Sequence, residues 1–179
     1  MFALSLRAKN RIGDPVIDGS SGVYHAQPGV IAPGNVRAMW NYEFSILSDT
    51  GIAAYMYLLG VDHDPSAGTA YTYVDPLTWW ADNSQYFAGG VLDGVQASQN
   101  IGFGGIGGTP GGAMPGGPTG TYSFVLMAWA AGDTDHRNLL ASTSITVQID
   151  EPVSRVPEPG SLALVSLALA VLGIARRRK

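Results

Sequence analysis

The chain has no cysteine. That removes disulfides, thiolate nucleophiles, CxxC redox pairs and cysteine-ligated zinc together. It leaves the compartment open, because an exported domain with an adequate core needs no disulfide. Charge is also scarce: 13% of the 179 residues are Asp, Glu, Lys or Arg, about half the usual share. Alongside 46% hydrophobic residues, so few charges argue against a disordered polyelectrolyte and for one packed domain of ordinary size. Cations are scarcest in the middle of the chain. Between Gly22 and Pro152 only Arg37 and Arg137 stand against eleven carboxylates, so the body is strongly acidic. Such a surface repels phosphate backbones, and a nucleic-acid partner is not expected.

Catalytic signatures are missing as well. There is no GxSxG, HExxH or P-loop, lysine occurs only at Lys9 and Lys179, and His25, His63 and His136 are widely spaced. Gly102-Phe103-Gly104-Gly105-Ile106-Gly107 formally satisfies GxGxxG. A dinucleotide loop must open a helix, however, and Thr109-Pro110-Gly111-Gly112 begins none. With ten glycines and three prolines in residues 102–120, the segment reads as a Gly-rich surface loop. An enzyme is not expected, and no resident cofactor is implied.

What the body does contain is strand periodicity. In residues 38–48, Trp40, Tyr42, Phe44 and Ile46 share one parity while Asn41, Glu43 and Ser45 share the other. This is a half-buried strand. Asp49-Thr50-Gly51 is a turn, and residues 52–59 continue with Tyr55 and Tyr57, which predicts a hairpin. A polar loop over 61–68 follows, then a short strand over 69–74 ended by Asp75-Pro76. Residues 95–103 are a further candidate. Residues 121–131 are apolar on both parities, as in a strand covered on both faces, and after a turn at 132–138 residues 139–149 alternate cleanly. Six or so such strands without an amphipathic helix predict a mainly β fold, an antiparallel β-sandwich.

Three groups of body residues are candidates for binding. Asp62 and Asp64 flank His63, and Asp133 and Asp135 precede His136. Alternating carboxylates in a loop suit a hard cation such as Ca2+, although neither cluster has the EF-hand offsets and both residue types are ordinary turn formers. Trp79 and Trp80, near Tyr71, Tyr73 and Tyr86, are candidates for an aromatic carbohydrate platform. Adjacent tryptophans in a strand would point to opposite faces, so burial of one is the competing reading.

The last 24 residues differ in kind. Val156-Pro157-Glu158-Pro159-Gly160 precedes fifteen uncharged residues, 161–175, and then Arg176, Arg177, Arg178 and Lys179. As a helix the apolar run would extend roughly 22 Å, against a hydrocarbon core of about 30 Å. Tilt-free spanning is therefore marginal, and local thinning and snorkelling arginines would supply the difference. The terminal cations place that end in the cytoplasm and the body outside it. Pro157 and Pro159 lack backbone donors and hold the residues before them extended. A membrane-side protease can grasp such a peptide.

The segment from Val156 to Lys179 resembles the PEP-CTERM sorting signal of exopolysaccharide-producing Gram-negative bacteria, with the Pro-Glu-Pro motif, short apolar helix and arginine cluster in order. The resemblance implies that a membrane-embedded exosortase recognises the motif, removes the helix and passes the body to the cell surface or extracellular matrix. This chain would be the substrate, held transiently in the inner membrane. Ala97-Ser98-Gln99-Asn100-Ile101-Gly102-Phe103, Gly120-Thr121-Tyr122 and Leu140-Ala141-Ser142-Thr143-Ser144 are similar to a body type found ahead of such tails, which has no assigned catalytic residues. Association with exopolysaccharide or biofilm is the expected setting.

Secretory leaders open with cations and then an apolar run of 7 to 15 residues. Here a run of six is followed by Arg7, Lys9 and Arg11. Residues 1–22 are therefore expected to be a flexible segment, with the signal peptide missing or the start misplaced. The remaining organisation reads as a β-sandwich body over 23–151, a linker at 152–155, and the sorting signal at 156–179 with a single C-terminal transmembrane helix at 161–175.

Overall fold

A computed structural model describes residues 2–11, 21–34, 37–79, 85–88, 91–101 and 119–150, with 79, 85–88 and 91–92 placed by backbone alone. Nine strands and a one-turn helix follow in order: β1 (Phe2–Asn10), β2 (Val23–Ala26), β3 (Trp40–Ser48), β4 (Tyr55–Asp62), β5 (Tyr71–Val74), α1 (Pro76–Trp79), β6 (Gln85–Ala88), β7 (Val91–Asn100), β8 (Gly120–Ala130) and β9 (Leu139–Ile149). They form two sheets, a first of order β1-β3-β7-β6 and a second of order β2-β9-β8-β4-β5. The chain is mainly β, as the alternation predicts.

One core lies between the sheets. Trp40, Tyr42, Phe44 and Ile46 of β3 are buried on the parity read from the sequence, and they meet Tyr122, Phe124 and Leu126 of β8. Phe124 receives Tyr42 at a ring separation of 4.7 Å and Trp40 edge-on at 6.0 Å. Such geometries favour aromatic pairs beyond their area alone, and each large apolar side chain buried whole contributes about 1.5–3 kcal/mol of transfer free energy. A slip of one residue in β3 would bring Asn41 and Glu43 inward, so the core fixes the register. In β9, Ile145, Val147 and Ile149 are buried while Ser142, Ser144 and Gln148 are exposed, again as expected.

Several expectations are corrected. Residues 2–10, expected within a flexible lead-in, form β1, paired antiparallel with β3 from Phe2↔Ser48 to Asn10↔Trp40. Leu6 and Ala8 enter the core, and the cations that break the apolar run, Arg7 and Lys9, are the outward residues of a strand. The predicted β3–β4 hairpin is absent among the described residues, because β3 belongs to the first sheet and β4 to the second. Gly51, at φ 85° and ψ 138°, redirects the chain, and Ile52, 1% exposed, plugs the end of the core before β4 begins. A turn within one sheet and an arch between two sheets show the same alternation on either side. The antiparallel rule also has an exception, since β2 pairs parallel to β9.

The β4–β5 and β8–β9 hairpins are present. The loop 63–70 folds back onto the start of β8, where Thr121 N–H donates to the Pro65 carbonyl at 3.0 Å. That approach requires Gly120, whose φ is +146° and where a Cβ would stand 2.1 Å from the same carbonyl oxygen.

Candidate functional site

Asp62 ends β4 and is fully buried. Its Oδ1 accepts from the Ala70 N–H at 2.8 Å and the Asp64 N–H at 3.0 Å, and its Oδ2 accepts from the Ser123 N–H at 3.2 Å. Three backbone donors from the loop and β8 therefore converge on one carboxylate. Charge-assisted bonds of this kind satisfy a buried carboxylate without a cation. Asp64 repeats the device locally, accepting from the Ser66 N–H at 2.9 Å, and Ser66 Oγ accepts from the Gly68 N–H at 3.1 Å. The Ser66 backbone and hydroxyl hold the Asp64 carboxyl below its usual range. Burial lowers the adjacent His63, against an opposing pull from Asp62.

Asp133 and Asp135 lie in the β8–β9 loop. Asp133 accepts from the Asn138 N–H at 2.9 Å and the Arg137 N–H at 3.3 Å, and Asp135 pairs with Arg137 at 3.3 Å. The two acidic clusters are not brought together. Asp62 bonds Ser123 in the first half of β8, whereas the Asp133 loop follows its last residue, Ala130, so roughly 20–25 Å of strand separates them. Among the described residues no group of three or more His, Asp or Glu is placed to hold a metal ion. The geometry assigns these carboxylates to loop closure.

Trp79 is the last residue of α1, a single turn opened by Pro76 and capped by Asp75, whose Oδ1 accepts from the Leu77 N–H at 2.8 Å. Trp80 lies outside the described residues. Tyr71 and Tyr73, by contrast, sit together on β5 with ring centroids 5.6 Å apart, and Tyr73 is 49% exposed. His25, His63 and His136 are dispersed over β2, the β4–β5 loop and the β8–β9 loop. His25 bonds Asp150 at 2.9 Å, and His136 packs on Trp129 at 4.6 Å.

A polar cluster that the sequence reading missed covers the outer face of the first sheet. Asn100, 1% exposed, accepts from the Ala38 N–H at 2.8 Å and directs its amide to the carbonyls of Ala38 and Trp40 and to Asn41 Oδ1. Asn41 donates to Ser98 Oγ at 3.0 Å. Beside it the Glu43 side chain, 11% exposed, pairs with both Arg7 and Lys9. Burial raises the Glu43 carboxyl, but hydrogen bonds from Lys9, Arg7 and Ser98 and the Arg7 charge outweigh it and hold the group below the usual range. The stability this supplies is complete above the ordinary glutamate pKa and is lost as pH falls through the lowered value. Melting curves from about pH 7 to about pH 3 should therefore show Glu43→Gln well below wild type at neutrality and the gap closing in acid. A gap that stays constant would contradict this role. The network is self-satisfied and reads as strand pairing by side chains.

The sorting residues, Val156, Pro157, Glu158, Pro159 and Gly160, the apolar run 161–175, and Arg176, Arg177, Arg178 and Lys179 all lie outside the described residues. Among those described, no helix is long and apolar enough to cross a membrane. β9 ends at Ile149, and Asp150 is held by His25 and by Gln148 Nε2 at 3.0 Å. No curated protein and no solved structure matches the chain. The family model of the PEP-CTERM protein-sorting motif matches residues 155–179. The matched span contains the Pro-Glu-Pro stem, the uncharged run and the basic terminus, and the chain bears a PEP-CTERM protein-sorting motif there.

Proposed function

We propose that the protein is an exosortase substrate whose two-sheet body is exported, held at the inner membrane by residues 161–175, cut at or near Pro157-Glu158-Pro159, and released to the cell surface or extracellular matrix. The observation that carries this reading is the motif match at residues 155–179. Its position relative to the fold supports it. The last strand among the described residues ends at Ile149, six positions before the matched segment begins, so a cut within the motif leaves all nine described strands intact. The body then acts in the matrix as a structural or exopolysaccharide-associated protein, without catalysis.

A graft tests the sorting role apart from the body. Residues 151–179 placed behind an unrelated exported reporter should yield a reporter that is shortened at its C-terminus and released in cells that contain exosortase. The same fusion should stay full-length and membrane-bound in cells that lack it. Equal processing in both backgrounds would reject the reading. A second reading, a displayed carbohydrate-binding module, is supported by the tyrosine pair on β5, of which Tyr73 is exposed and Tyr71 half-buried.

A further inference from the structure

The outer face of the second sheet divides into two chemically distinct halves. On the β5 side, Tyr71 and Tyr73 lie on the same face, opposite Asp62 and Gly60 of β4. A Cβ on Gly60 would stand 2.8 Å from Tyr73 Cε1, 2.8 Å from Val125 Cγ1 and 3.2 Å from Tyr71 Cδ1. Both rings therefore lean across β4 into the space that a side chain would fill. A ring laid along a sheet turns one face to the protein and the other to solvent. The second half begins one strand beyond Val125, where Ser144 pairs opposite it and Thr146 follows on the same face.

Among the described residues, the outward positions of β5, β4, β8 and β9 carry one charged residue, Asp62, which is fully buried and already accepts three backbone N–H groups. Phosphate, sulfate and uronate groups find no cation among the described residues of these four strands, and an anionic polymer also meets the acidic body. Apolar rings beside a row of hydroxyls match a molecule with apolar C–H faces and hydroxyl edges. We infer that this face binds an uncharged polysaccharide, with Tyr73 and Tyr71 stacking on sugar rings and the β9 hydroxyls meeting its edge. This deepens the carbohydrate-binding reading above by naming a site in addition to the tryptophan candidates.

Affinity electrophoresis of the full chain in detergent, through gels containing dextran, galactomannan or xyloglucan and separately alginate, tests it. At least one neutral polysaccharide should retard the wild type. Tyr73→Ala should weaken that retardation about tenfold, as truncation of a stacking aromatic does, while Tyr73→Phe keeps it. Asp135→Asn, at the far loop, should leave it unchanged. Retardation by alginate alone, by none of the four, or unaltered in Tyr73→Ala overturns the inference. So does a sedimentation result in which Tyr73→Ala converts a dimer to a monomer, which would make the face a contact between copies of this chain. The state of the C-terminus, read by mass on the same samples, reports the sorting role independently.

Discussion

Replacing Pro157 and Pro159 together with alanine should leave the chain uncut and retained in the membrane fraction. Proline disfavours helix in the residue before it, so on the proposed reading the pair favours an extended stem. With alanine at both positions, nothing opposes helix through Glu158, and the peptide presented to the exosortase would then be helical. Changing Arg176, Arg177, Arg178 and Lys179 to serine should fail differently. On the proposed reading these four cations retain this end in the cytoplasm, so their loss would leave the short run of fifteen uncharged residues without an anchor. The first variant accumulates as full-length membrane protein. The second escapes the membrane or inserts without fixed orientation. Immunoblots of membrane and released fractions with C-terminal and body-directed antibodies separate the two outcomes, and wild-type processing in both variants would refute the assigned roles.

Asp62→Ala should be the most destabilising single polar substitution in the body. It removes one acceptor group and leaves the N–H groups of Asp64, Ala70 and Ser123 without their partner at a fully buried site. Each orphaned donor costs about 1–3 kcal/mol, so the total is roughly 3–5 kcal/mol once part of the loop relaxes to water. For a domain of this size that lowers Tm by roughly 10 °C. Asp62→Asn keeps one carbonyl acceptor and should lose about half as much. Thermal unfolding followed by circular dichroism measures both. A Tm within about 2 °C of wild type for the alanine variant would show that the loop does not depend on this carboxylate.

The difference between what was legible in the sequence and what was not follows from the range of each interaction. β3 and β9 are readable because every second side chain enters a core, and that period survives in one dimension. The partner of a strand is not encoded in its own period. Residues 40–48 and 55–62 alternate identically whether they pair with each other or face each other across the core, and the sequence therefore suggests a hairpin where the chain crosses between sheets. β1 was hidden for a related reason. Arg7 and Lys9 interrupt an apolar run, and only their placement over Glu43 of the neighbouring strand explains them.

Binding candidates divide along the same line. Asp62, Asp64 and Asp133 stand out in the sequence as acidic clusters, but their backbone partners appear only once the loops close. The Glu43–Arg7–Lys9 group and the Asn41–Ser98–Asn100 chain draw on three strands, so no local window contains them. Tyr71 and Tyr73 were visible as neighbours, but their posture depends on Gly60 in another strand. The sorting signal was legible in full because an enzyme that reads a linear peptide needs its determinants contiguous, and they occupy one stretch of 25 residues, 155–179.

The most direct measurement is the intact mass of the protein recovered from the surface and medium of producing cells. The account predicts a chain that ends at or near Pro157-Glu158-Pro159 and lacks residues 161–179. Surface protein that still carries Lys179, or full-length protein confined to the cell interior, would contradict it.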